Sequence, residues 1–261
     1  MSLAGQDDWS PSISADGKEL YFMSWRGSSA DIWVGHRAAP QGKFTPVVAL
    51  DSTVNSPCME DGPFISFDGL TLYFTTARDL AGTCSGSSQH VWAARRPSVE
   101  EPFAVAVPVP GLEQQTAYHP SLSPDELTIY FSSWSTGDSR IWVATRKSRS
   151  EPFSGLAVVD SLSSSGDDRS PSISADGLEI FFASNRSGGA GKLDLYLASR
   201  GDTSQAFSAP RRLAQLSTAL DEIEPGISPD GRALYFNYDT DVLGQTTGHS
   251  ADIWVAVRSC E

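Results

Sequence analysis

The chain has 261 residues, 39% hydrophobic and 20% charged, enough apolar content for one large core or two small ones. Its formal net charge of −13 argues against a nucleic-acid surface, which needs clustered Lys and Arg, and against docking on anionic lipid. No apolar run approaches the roughly twenty residues of a membrane helix, and the first residues lack the basic and apolar parts of a secretory signal.

Along the chain, one phrase of the form Pro-x-Ile-Ser-x-Asp-Gly-x-x-Leu-Tyr-Phe occurs at residues 11–22, 63–74, 120–131, 171–182 and 225–236. Its turn aspartates, Asp16, Asp68, Asp125, Asp176 and Asp230, lie 52, 57, 51 and 54 residues apart. A period of about 50 residues built from short strands and turns signals a repeat array. Each repeat predicts four strands, A to D. Strand A is the Pro-Ser-Ile-Ser element. An Asp-Gly turn reverses the chain, because Gly tolerates positive φ and Asp bonds its own backbone; repeat three departs, with Asp125-Glu126. Strand B is aromatic and aliphatic, as in Leu20-Tyr21-Phe22. Strand C carries Trp33, Trp92, Trp142, Tyr196 or Trp254, followed four residues later by Arg37, Arg96, Arg146, Arg200 or Arg258. Strand D begins after Phe44, Phe103, Phe153 and Phe207. Four antiparallel strands repeated five times predict an all-β, five-bladed β-propeller, with blades at about 9–52, 60–112, 117–162, 168–216 and 222–261 of a single domain. Repeat five ends with strand C. By comparison with repeat four, its outer strand falls before Met1, so blade five is expected to have three strands, in a monomer trimmed from a longer chain.

The run from Ser170 to Gly177, then Phe182-Ala-Ser-Asn-Arg-Ser-Gly-Gly189 and Asp194-Leu-Tyr196, resembles the TolB-like, WD-repeat-related propeller family over essentially the whole chain. Repeats two and three depart at the strand C aspartate, with His90 and Arg140. The resemblance implies a fold and a periplasmic or extracellular setting; it is nearly silent on activity, because such propellers serve many roles.

The D–A and B–C connections share one face, and the long connections, residues 77–89 and 237–251, are both B–C, so a site is expected there. Three residues before the strand A prolines stand Asp8, Glu60, Ala117, Asp168 and Glu222. If they turn toward the axis, the four acids would ring the channel mouth and hold a hard cation such as Ca2+. With Trp9, Asp61, Tyr118, His119, Arg169 and Glu224 they would instead grip a polar or cationic ligand or a protein partner. Alternatively each acid binds backbone N–H groups of its own turn or a repeat arginine, while the strand C aspartates and Arg26, Arg78 and Arg186 of the B–C turns hold loops together within a blade. His36, His90, His119 and His249 show no zinc spacing, and only His119 lies at the mouth. Cys58, in a D–A connection, and Cys84, in the B–C loop of the same blade, share a face and are placed to form a disulfide, which would imply an oxidising compartment. Cys260 is expected to be free.

Two functions compete. One is a non-catalytic binding propeller on the acidic loop face. The other is an arabinanase-type glycoside hydrolase, also five-bladed, using two carboxyls at the mouth at defined separation. A purely structural module is a third. No nucleophile elbow, phosphate loop or metalloprotease motif is present.

Overall fold

A computed structural model describes residues 7–84, 88–135, 137–239 and 251–258. Residues 240–250 of the long blade-five connection, including His249, and Cys260 lie outside these. Five antiparallel sheets follow one another along the chain. The first contains β1 (Asp8–Ile13), β2 (Glu19–Ser24), β3 (Asp31–His36) and β4 (Val47–Ala49). The second contains β5 (Glu60–Ile65), β6 (Thr71–Thr76), β7 (His90–Arg95) and β8 (Val107–Pro108). The third contains β9 (Tyr118–Leu122), β10 (Thr128–Ser133), β11 (Arg140–Thr145) and β12 (Ser154–Val158). The fourth contains β13 (Asp168–Ile173), β14 (Glu179–Ser184), β15 (Asp194–Ser199) and β16 (Arg211–Arg212). The fifth has three strands, β17 (Asp221–Ile227), β18 (Ala233–Asp239) and β19 (Ala251–Val257). β1 lies against β5, β5 against β9, β9 against β13, β13 against β17, and β17 against β1, so the first strands of the sheets close a ring. The fold is a five-bladed β-propeller. No helix among the described residues is long and apolar enough to cross a membrane.

The turn chemistry explains the regularity. Ser14 Oγ donates to Asp16 (2.8 Å) and accepts the Glu19 amide (2.9 Å), while Gly17 takes φ 69°. The same Ser–Asp bond recurs at Ser66–Asp68, Ser123–Asp125, Ser174–Asp176 and Ser228–Asp230. In repeat three Glu126 occupies the glycine position at φ 59°. Its buried carboxylate accepts the Tyr73 hydroxyl (2.5 Å) from blade two and faces Arg146 (3.6 Å) and Arg149 (3.2 Å). That departure from Asp-Gly therefore ties two blades together.

The core lies between blades. Tyr21 and Ile32 of blade one pack with Phe74, Trp92 and Phe103 of blade two, and equivalent clusters fill the next seams. In each of the first four blades, the repeat arginine lies over the phenylalanine that leads the outer strand. The distances to the ring centroid are 4.2, 4.7, 4.4 and 4.3 Å for Arg37–Phe44, Arg96–Phe103, Arg146–Phe153 and Arg200–Phe207. Serine hydroxyls then clasp neighbours: Ser12, Ser121 and Ser172 accept the amides of Ile65, Ile173 and Ile227, each at 3.0 Å. The closing seam is different. There Ser10 N–H donates to Glu224 Oε2 (2.8 Å) and Asn237 Oδ1 (2.9 Å), and Asn237 Nδ2 donates to the Asp8 carbonyl (2.5 Å).

Cys58 and Cys84 are joined by a disulfide across 26 residues, with Cα atoms 5.3 Å apart. A loop of that length loses closure entropy equivalent to about 3 kcal/mol when the unfolded chain is cross-linked. Cys84→Ser should accordingly lower the urea midpoint in non-reducing buffer, and dithiothreitol should have no further effect on the variant. An unchanged midpoint would show that the bond does not stabilise the protein through the unfolded chain.

Candidate functional site

The four acids three residues before each proline do not gather on the axis. Asp8, Glu60, Asp168 and Glu222 are all fully buried inside their own blades. Asp8 pairs with Arg26 at 2.6 Å and Asp168 with Arg186 at 2.6 Å. Glu60 accepts the Ser56 amide (2.9 Å) and the Thr76 hydroxyl (2.8 Å) and lies 3.5 Å from Arg78. Glu222 accepts the Thr218 amide (3.1 Å) and the Thr218 hydroxyl. Glu60, Asp168 and Glu222 therefore fasten the D–A connections of their blades, and Asp8, Glu60 and Asp168 hold the arginine of the B–C turn. Burial pushes the Asp8 carboxyl up to about 6 and those of Glu60 and Glu222 upward. The Ca2+ ring fails on its donor set. Its four carboxylates sit in four separate blades with their own partners, and among the described residues no three His, Cys, Asp or Glu groups are placed to hold a metal ion.

The physical reason is a bulge. Asp8 pairs with Ser24 and Trp9 with Met23, but the next pair is Ser12 with Tyr21, so two residues of β1 oppose one of β2. The same shift occurs in β5, β9, β13 and β17. A bulge breaks the two-residue alternation, and the residue just before each proline swings onto the axis. Those residues are Ser10, Gly62, His119, Ser170 and Glu224, all left-handed at φ 50° to 56°. A pre-proline residue is barred from the right-handed helical region, and the left-handed one strains any residue but glycine. The five line a narrow channel enclosing about 50 Å³.

Three titratable side chains meet at its mouth. His119 Nε2 lies 3.3 Å from Glu224 Oε1 and 3.5 Å from Asp61 Oδ2, and Nδ1 lies 3.4 Å from Ser170 Oγ. Asp61 Oδ1 accepts the Ser10 hydroxyl (2.8 Å) and the Gly62 amide (2.6 Å). Every blade thus contributes: Ser10 from the first, Asp61 from the second, His119 from the third, Ser170 from the fourth, Glu224 from the fifth. Burial disfavours the charged imidazole, but the Asp61 charge and hydrogen bond, then Glu224, outweigh it and raise His119 to about 10. Burial likewise opposes the Asp61 carboxylate, yet the His119 charge and its hydrogen bonds hold it below the usual range. His119 is therefore an imidazolium between two carboxylates.

Around this hub the remaining residues predicted from the sequence stand at different depths. Tyr118 meets Trp134 edge-on with ring centroids 4.6 Å apart, and Trp134 is 36% exposed. Trp9 packs against Ala183, Leu193 and Ile223 and is not free for stacking on one side. Arg169, in blade four, is half-buried. The sequence reading missed Ser10, Ser170 and Trp134. The column before the prolines, Ser-Gly-His-Ser-Glu, held the signal, since only there does the array place two titratable groups among small residues.

No family model and no curated protein matches the chain. Solved structures do. A putative TolB from Agrobacterium tumefaciens is 18% identical, with TM-score 0.56, covering 96% of this chain and 81% of that one. An endo-arabinase from Bacteroides thetaiotaomicron is 13% identical, TM-score 0.61, covering 100% of this chain and 96% of that one. The catalytic domain of an α-L-arabinofuranosidase from Coprinopsis cinerea is 9% identical, TM-score 0.65, covering 97% and 91%. At these identities the likeness establishes the propeller fold and nothing finer.

Proposed function

We propose that the chain is a non-catalytic binding propeller that takes a protein partner on its D–A/B–C loop face, over the His119 hub. The observation that carries this reading is the locking of Asp61 and Glu224 onto one imidazolium above a channel of about 50 Å³. Room on that scale admits a few waters, whereas small-molecule pockets typically enclose roughly 300 Å³ or more. Glycoside hydrolysis needs one carboxyl kept protonated as proton donor and a second free to attack or to activate water. Asp61 is held ionised and both carboxylates face the same cation, which is the opposite arrangement. Trp134, Tyr118 and the charged hub offer instead an aromatic rim around a polar centre, the composition of recognition surfaces. The Cys58–Cys84 disulfide favours an oxidising compartment, periplasmic or extracellular.

Incubation with arabinan and xylan oligosaccharides tests the choice. The expected result is no release of reducing ends. Hydrolysis that disappears in Glu224→Gln would overturn the binding reading in favour of the arabinanase-type enzyme.

A further inference from the structure

At each seam the repeat arginine of one blade approaches the strand B aromatic of the blade before it, and at three seams a carboxylate joins them. Glu19 takes Arg96 at 2.7 Å and the Tyr21 hydroxyl at 2.9 Å. Glu126 faces Arg146 at 3.6 Å and takes the Tyr73 hydroxyl at 2.5 Å. Glu179 takes Arg258 at 2.7 Å, with Phe181 where the other blades have tyrosine. The seam between blades three and four has the arginine and the tyrosine without the acid. Thr128 opens strand B there, at the place of Glu19 and Glu179, and Gly177 stands at the place of Glu126. Arg200 Nη2 donates to the Tyr130 hydroxyl at 3.4 Å, Nε donates to the Gly177 carbonyl at 2.8 Å, and the guanidinium lies 4.3 Å from the Phe207 ring centroid. Among the described residues, no carboxylate is in ion-pair contact with Arg200 and no acceptor takes the Tyr130 proton, although Tyr130 is only 4% exposed. The closing seam also lacks the acid, with Ala233 at that place and Arg37 3.4 Å from the Tyr235 hydroxyl. Between blades three and four, Arg200 and Tyr130 line a groove of about 820 Å³, against about 420 and 280 Å³ at the first two seams. Val143, Val158 and Ile173 give this groove an apolar wall, and Asp125, Asp160 and Asp176 lie along it.

We infer that this groove binds a small carboxylate ligand, whose carboxylate takes the place that Glu19, Glu126 and Glu179 fill at the other seams and accepts from Arg200 and Tyr130. A guanidinium and a phenol hydroxyl give a carboxylate charge-assisted bonds with directional specificity. The groove falls in the range of small-molecule sites, roughly 300–1,000 Å³, and its apolar wall suits an aliphatic or aromatic body. The three aspartates repel a second anionic group and favour an ammonium. Amino acids and short peptides with apolar side chains therefore fit better than phosphates or polycarboxylates. The groove runs along the seam from the A–B turns and shares no residue with the His119 hub.

Isothermal titration of the intact chain with leucine, phenylalanine and leucyl-glycine, each beside its C-terminal amide, tests the site. The expected result is saturable binding of at least one acid with Kd below about 1 mM, weakened about tenfold or more in its amide. Arg200→Gln should weaken it by a similar factor. Thr128→Glu installs the carboxylate that Glu19 and Glu179 supply, so it should abolish binding while the melting temperature stays at or above that of the wild type. Loss of binding without loss of stability separates a filled socket from a damaged fold. No saturable binding by any of the three acids, or binding indifferent to amidation or to Arg200→Gln, overturns the proposal. So does full binding by a stably folded Thr128→Glu variant.

Discussion

Gly226→Ala should destabilise the propeller by about 3 kcal/mol, the upper range for overpacking a close contact, read as a lower urea midpoint at unchanged m-value. A Cβ at this position would lie 2.2 Å from the Pro11 carbonyl oxygen and 3.3 Å from its carbon. Both are backbone atoms, so no flexible side chain can yield; blade one must move off blade five. At the three seams closed by Ser12, Ser121 and Ser172 this position carries a hydroxyl that clasps the next blade. The closing seam gives up that hydroxyl for closer backbone approach and takes its bonds from Glu224 and Asn237. Asn237→Ala should cost about 2 kcal/mol, because it leaves the Asp8 carbonyl and shares of the Ser10 amide unpaired in a buried seam. Gly201→Ala, whose only close neighbour is the mobile end of Gln205 at 3.3 Å, serves as the neutral control. If Gly226→Ala melts like Gly201→Ala, the ring does not close where these contacts place it.

His119→Ala should cost about 3 kcal/mol, since it strips the cation from two carboxylates that share a partly buried site. The pH dependence gives a sharper form of the same prediction. His119 is raised from 6.5 to about 10 on folding, so the stabilisation it supplies is complete below pH 6.5 and is lost as pH rises toward 10. Wild-type stability should therefore fall by about 2–3 kcal/mol between about pH 7 and pH 9, on a scale of roughly 1.4 kcal/mol per pH unit for one proton. His119→Gln should flatten that slope. Asp61 works in the other direction: lowered on folding, it contributes stability above pH 3.8 that disappears on acidification. Equal alkaline slopes for wild type and His119→Gln would remove the ion pair from the energetics of ring closure.

Much of the fold was legible because the repeat encodes it in local chemistry. Ser14-Ala-Asp16-Gly17 states its turn in four residues, and the bonds that Ser14 and Asp16 make are those their side chains favour anywhere. The three-stranded fifth blade followed from counting strand signals. The site was less legible. The recurrence of Asp8, Glu60, Asp168 and Glu222 just ahead of strand A suggested that they turn toward the axis, but the bulge at each pre-proline residue gives that place to Ser10, Gly62, His119, Ser170 and Glu224, and nothing in residue propensity announces a left-handed Ser10 or His119. Asp8, Glu60 and Asp168 went instead to Arg26, Arg78 and Arg186, and Glu222 to Thr218. Convergence of Asp61, His119 and Glu224 depends on which blades face each other around the ring, a relation that spans 163 positions from Asp61 to Glu224 and is invisible to local pattern.

The most direct test of the account is an NMR titration of the His119 ring carbons in the intact protein, assigned with His119→Gln. A charged hub predicts that the ring holds its proton through about pH 9, with Asp61→Asn bringing the midpoint down toward the ordinary histidine range. A midpoint near 6.5 in the wild type would contradict it: the carboxylates would then be free of the imidazolium at neutral pH, and the case against hydrolytic chemistry at the channel mouth would fall with it.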